Sequence, residues 1–241
     1  KRNVNFEADF TFNNNTNQYA QTGDSKVVWY NVKDADGNEI PNEFKAFSPI
    51  KTDKNNASLE TFNLPTDQSS ATLLQSADWM TGKPDPNPIK KSAAPSGLAL
   101  NFSHNYSKLC FNVVPQEDIT ESALSGADIK VLGSIKPYYN STFKTIEAIV
   151  EPKAYTTNDE IILISLSNGG ESYALNFLQP ITFEAGKQYN YSLKLGHNAI
   201  TISSVSVSDW EDKIVSSDED EAWGDPFDDS SVEYITFTAA S

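Results

Sequence analysis

Residues 181–210 read ITFEAGKQYNYSLKLGHNAITISSVSVSDW. Tyr189, Tyr191, Leu193 and Leu195 alternate with Gln188, Asn190, Ser192 and Lys194, the period of a strand with one face buried and the other wet. Gly196-His197-Asn198 then turns the chain, and Ile200 and Ile202 resume the alternation, which makes a hairpin. Val205 and Val207 fall on the opposite parity from Ile200 and Ile202. A bulge or bend at Ser203-Ser204 brings them back to a common face.

The pattern stays β on working outward. Upstream, Ile161 to Leu166 is a continuous apolar run, as in a strand covered on both faces at a sandwich centre. Asn168-Gly169-Gly170 turns it toward Tyr173, Leu175 and Phe177, and Ile146 to Val150 precedes it as another strand. Leu98, Leu100, Phe102, His104 and Tyr106 share one parity and Leu109, Phe111 and Val113 the other, which a bulge near Ser107-Lys108 reconciles. Near the start, Val4, Phe6, Ala8, Phe10 and Phe12 alternate with polar residues, a loop follows at Asn13 to Asn17, and Val27 to Val32 forms a second strand. Phe44 to Phe47 leads into Ser48-Pro49.

Helical signals are few. Thr120 to Leu124 carries one, with Thr120 or Asp118 as cap. Ser69 to Trp79 suits a short helix or, through Leu73-Leu74, a strand. Between Gly82 and Gly97, Pro84, Pro86, Pro88 and Pro95 resist both helix and central strand, so a domain boundary is expected there. The reading is all-β, as one large domain or two of ordinary size; with two, residues 1–92 and 93–212 are the β-sandwich domains and 213–241 an acidic spacer with a candidate terminal strand.

Composition limits the function classes. A chain of 241 residues with 38% hydrophobic and 11% aromatic residues buries a real core. No apolar run approaches the roughly 20 residues that cross a bilayer. The net charge is −15 and Arg2 is the only arginine, which argues against nucleic acid as a partner, since phosphate binding needs a basic surface. Residues 211–241 contribute −9 of that charge and the rest of the chain −6, so the tail is electrostatically distinct. Cys110 stands alone within an apolar strand and is expected as a small buried thiol. The chain opens Lys1-Arg2-Asn3 without methionine, the sign of a processed or trimmed start that leaves export open.

Catalytic parts are missing from the sequence. With two histidines and no G-x-S-x-G, H-E-x-x-H or phosphate loop, no enzyme, cofactor or metal centre is expected. Asp34-x-Asp36-Gly37-Asn38 invites a calcium reading, but Glu39 stands where an EF-hand needs glycine and Lys45 where it needs glutamate; a hairpin turn is expected instead. His104, on the apolar parity, is expected as a hydrogen-bonded core histidine. The N-x-Ser/Thr sequons, Asn140 among them, read as chance.

At residues 98–113, LALNFSHNYSKLCFNV, and again at 183–210, the chain resembles the fimbrillin-like family of surface proteins from anaerobic Gram-negative bacteria. The features are Phe102-Ser103-His104 followed by Ser107-Lys108-Leu109, then Ala185-Gly186-Lys187-x-Tyr189-x-Tyr191, and a closing Asp209-Trp210. The resemblance implies two consecutive transthyretin-like antiparallel β-sandwich domains. It also implies export through a lipoprotein precursor to the outer membrane and a role as a fimbrial subunit, with other fimbrial subunits as partners. Family subunits assemble by β-strand addition after an arginine-specific protease removes an N-terminal strand. The receiving groove then lies in the N-terminal domain, and Arg2 is a candidate remnant of processing.

This chain continues past Trp210 through the acidic spacer to Val232, Glu233, Tyr234, Ile235, Thr236, Phe237 and Thr238. The segment is rich in strand formers and lacks Pro and Gly. Two placements are open: a strand donated to another subunit, or the last strand of its own domain. A second functional reading is a surface glycan-binding module without polymerisation, with Trp79 and Trp223 as stacking platforms for host or microbial sugars.

Overall fold

The structure is a computed structural model that describes residues 9–13, 18–22, 33–49, 62–94, 100–116, 119–166, 170–197, 199–210 and 233–235. Contacts divide the chain into two units, Lys1–Ala57 with Thr81–Phe102, and Ser58–Met80 with Ser103–Ser241. The Pro-rich segment therefore lies inside the first unit. The division differs from a boundary at residue 92, because residues 62–77 pack into the second unit.

In the first unit, β1 (Asp9–Asn13) pairs antiparallel with β2 (Gln18–Thr22), Asn13 opposite Gln18. β2 carries no clear alternation in its sequence, QYAQT, and sequence reasoning passes over it. The strand expected at 27–32 and the residues before Asp9 lie outside the described residues. The Asp34 segment is a hairpin turn: Asp34 Oδ1 accepts from the backbone N–H groups of Asp36 and Asn38 at 3.0 and 2.8 Å, and Lys33 bridges Glu39. Gly37 there has φ 84°, which glycine adopts without strain. β3 (Ala46–Ser48), β4 (Met80–Lys83) and β5 (Asn101–His104) form a three-stranded sheet in that order.

The second unit is a two-layer sandwich. One layer is a sheet made of β6 (Ser107–Pro115), β8 (Tyr138–Asn140), β9 (Thr145–Val150), β14 (Lys187–Leu195), β15 (Ile200–Asp209) and β16 (Glu233–Ile235), ordered β16-β15-β14-β6-β9-β8. The other is β12-β11-β7, from β7 (Asp128–Val131), β11 (Glu160–Ser165) and β12 (Ser172–Asn176). A two-stranded ribbon joins β10 (Ala154–Tyr155) to β13 (Ile181–Thr182). Ile161, Ile162 and Ile164 of β11 are fully buried in the core shared with Leu109, Phe111, Tyr189 and Tyr191, as the unbroken apolar run predicts. β6 and β14 are parallel and the other pairs in the large sheet are antiparallel.

Both α-helices among the described residues are short and capped. α1 (Ala71–Ala77) starts at Ser70, whose side chain accepts from the N–H of Leu73, and α2 (Glu121–Ser125) starts at Thr120, whose hydroxyl accepts from Ala123, each satisfying an otherwise orphaned donor. α1 buries Leu74 and Ala77 against Ile149, Tyr106 and Trp210 on the outer face of the large sheet. The helix thus resolves the helix-or-strand ambiguity of residues 69–79.

Two parity shifts resolve differently. Ser192 faces Ser204 while Leu193 faces Ile202, so Ser203 is the extra residue of a bulge in β15, where the sequence places it. No bulge lies at Ser107-Lys108. β5 ends at His104, and β6 begins at Ser107 in a different sheet, so the change of parity is a change of sheet.

Candidate functional site

The segments that carry the family resemblance converge at one end of the second unit. Gly186, with φ 73°, makes the turn into β14, a left-handed conformation that favours glycine. Its N–H donates to Tyr106 O at 2.9 Å, and its carbonyl accepts from Trp210 N at 2.8 Å. Ser107 Oγ donates to Glu184 O at 2.7 Å, and Tyr189 Oη accepts from Glu184 N and donates to Thr182 O. The imidazole of His104 stacks on Trp210, and its Nδ1 lies 2.8 Å from Asp78 Oδ1. Gly186, Ser107, Tyr189, His104 and Trp210 therefore hold the ends of these segments to one another. These contacts are structural.

A family model for fimbrillin-like proteins matches residues 2–210. The chain belongs to the fimbrillin-like family. Among solved structures, a candidate cell adhesion protein from Bacteroides uniformis ATCC 8492 is similar at TM-score 0.51 and 19% identity, over 70% of this chain and 73% of that one. Another from Bacteroides ovatus ATCC 8483 gives TM-score 0.49 and 15% identity, over 80% and 78% of the two chains. The first of these likenesses is one of fold alone. No curated protein matches the chain.

The edges of a sheet are the places where unpaired main-chain groups are available to a further strand. On one side of the large sheet the unit itself covers part of β9. Where β8 has ended, the Gln68 side chain takes the place of a strand: its Nε2 donates to Ile149 O at 2.9 Å, and Ile149 N donates to its Oε1 at 2.8 Å. Backbone bonds from Gln68 to Lys136 and from Lys136 to Thr66 fix the same segment.

The other edge is β15, ten residues long. β16 covers it at three positions, with Val205 opposite Ile235, Ser206 opposite Tyr234 and Val207 opposite Glu233. Among the described residues no other strand pairs with the outer side of β15. The bulge at Ser203 lies just before this ladder, and a bulge interrupts regular pairing. The regular ladder on this side of β15 thus begins at Val205.

The sequence-derived site residues divide as follows. Tyr234 and Ile235 lie in β16, along the chain's own sheet edge. Arg2, Val232, Thr236, Phe237 and Trp223 lie outside the described residues. Trp79 is half-buried, stacked on Phe62 at 5.6 Å and tilted against Tyr106, which turns its ring into a packed cluster. His104 and Cys110 have the buried positions expected of them.

One group was missed from sequence. Asn190, on the polar parity of β14, is 2% exposed, and Lys108 and Glu147 on the same outer face are 2% and 0% exposed. Lys108 Nζ lies 2.9 Å from Glu147 Oε2. Glu147 Oε1 accepts from Asn140 Nδ2 and Thr145 Oγ1. The available signal was a glutamate inside the apolar run Ile146 to Val150, since a charge in such a run is rarely buried without a partner. Among the described residues no group of three or more His, Cys, Asp or Glu is placed to hold a metal ion. No helix among them is long and apolar enough to cross a membrane.

Proposed function

We propose that this fimbrillin-like chain is a structural or adhesive subunit of a bacterial surface fimbria, exported through a lipoprotein precursor and assembled by β-strand addition. The donated element is the segment 232–238, and the receiving edge is β15 from Val205 to Val207 in the second unit, in place of the N-terminal-domain groove that the resemblance implies. The observation that supports this is the backbone ladder between β16 and β15. It gives the terminal segment a seat whose register an identical segment from a second copy can reproduce, the logic of exchanging one element between protomers. Residues 211–232, fully extended, reach at most about 75 Å, enough to cross to a neighbouring subunit. Main-chain bonds supply affinity, and the alternation of side chains supplies register.

The test is deletion of residues 224–241. The truncated chain is expected to fold as a monomer, with an unchanged circular dichroism spectrum, and to form no polymers by electron microscopy. Polymers indistinguishable from those of the full chain would exclude the segment as the donor.

A further inference from the structure

The outer face of the large sheet holds a row that the assembly reading does not use. Glu147 on β9 is opposite Cys110 on β6, and Cys110 is opposite Asn190 on β14. These three residues form one line across three adjacent strands. Lys108 is two positions before Cys110 on the middle strand, hence on the same face and diagonal to both Glu147 and Asn190. Diagonal neighbours are about 7–8 Å apart at the backbone, within reach of a long side chain. The Lys108 Nζ stands at the β9 end of this row, 2.9 Å from Glu147 Oε2, and a rotation about its side-chain bonds turns it toward the β14 end.

The site is dry and one of its polar atoms has no partner. Lys108, Glu147, Cys110 and Asn190 are each at most 2% exposed. Asn190 Oδ1 accepts from Gln188 Nε2 at 2.9 Å, while its Nδ2 is buried without a hydrogen-bond partner among the described residues. Such an amide costs free energy in the folded state, and its presence calls for a reason. A buried amine, a carboxylate touching it and a carboxamide whose nitrogen is unheld are the components of an acyl transfer.

We propose that Lys108 and Asn190 become joined by an intramolecular amide bond between Nζ and Cγ, with Glu147 as the proton carrier. Glu147, whose Oε2 is 2.9 Å from Nζ, takes a proton from the Lys108 ammonium. The freed amine attacks Asn190 Cγ, whose oxygen is polarised by the Gln188 N–H. Two Nζ protons pass through Glu147 to Nδ2, the Cγ–Nδ2 bond breaks, and the nitrogen leaves as ammonium. Glu147 is again a carboxylate, and no oxidant, water or further reactant is needed. The product ties β6 to β14, the parallel inner pair of the sheet, and closes the chain from 108 to 190 into a covalent loop. A subunit built this way resists separation of those strands when a filament is pulled.

The experiment is intact-mass spectrometry of the purified, folded full-length chain. The expected mass is lower than the sequence mass by one ammonia, with a digest yielding a linked peptide that joins Lys108 to Asn190. Lys108→Met and Asn190→Ala are each expected to keep their full mass, and Glu147→Gln to lose the link or form it far more slowly. The wild-type measurement stands even where a variant fails to fold. The unmodified sequence mass in folded wild-type protein, or an ammonia loss mapped elsewhere, overturns the proposal. Because the readout is made on single chains, it is independent of whether the protein polymerises.

Discussion

His104 and Trp210 lie face to face, ring centroids 3.9 Å apart and planes 8° from parallel. The pair joins His104, three residues before β6, to the residue that follows β15, and Trp210 is 5% exposed in the cluster with Leu74, Ala77, Tyr106 and Ile149. Trp210→Ala removes this ring from a packed site and is expected to destabilise the fold by about 3–5 kcal/mol. Urea unfolding of the second unit measures it. An unchanged midpoint shows that the ring contributes nothing to that packing.

Gln68 substitutes for a missing strand at Ile149. Gln68→Ala strands a buried N–H and C=O, each costing about 1–3 kcal/mol. We expect faster hydrogen exchange at the Ile149 amide, with β14 protected as in the wild type. Equal protection at Ile149 means that water or another group replaces the side chain.

Two ion pairs of the large sheet differ in burial and should differ in effect. Lys187 Nζ and Asp209 Oδ1, 2.6 Å apart, are solvent-exposed, and screening leaves such pairs little net value. Asp209→Asn is expected to leave the unfolding midpoint unchanged. Glu147→Ala takes the carboxylate from a buried ammonium and is expected to cost about 3–5 kcal/mol. The reverse ranking in thermal or chemical denaturation would contradict the burial.

Alkaline pH should unfold this protein. Burial pushes the phenol of Tyr191 well above its ordinary range, and burial likewise raises Tyr155 and Tyr189. A folded-state value above the unfolded one means that the contribution to stability is complete below the unfolded value, about 10, and is lost as pH rises beyond it. Tyrosinate absorbance should therefore lag behind that of free tyrosine and then rise together with loss of the near-ultraviolet dichroism. Smooth titration near pH 10 without unfolding is the contrary result.

Tyr234 lies opposite Ser206 in the terminal ladder. Tyr234→Pro removes a backbone donor and fixes φ, which an inner ladder position does not accept. In monomers, hydrogen exchange at Val205 to Val207 is expected to accelerate, and polymer yield is expected to fall at least tenfold. Normal polymers with this substitution would leave β16 as a packing strand only.

Much of the fold is determined by the sequence alone, through local chemistry. Alternation in β14, the bulge residue Ser203, the serine and threonine caps at Ser70 and Thr120 and the turn at Asp34 all depend on neighbours within a few residues. What only the tertiary structure decided is long-range. The polar parity of β14 reads as wet, yet Asn190 is buried, because periodicity shows which face a strand turns inward and not what later covers the other. Residues 62–77 join the second unit through Gln68 and Leu74, whose partners at Ile149 are far along the chain. The seat of β16 on β15 is of the same kind: strand propensity marks Val232 to Thr238 as able to pair, and only the edge left open at Val205 to Val207 determines where.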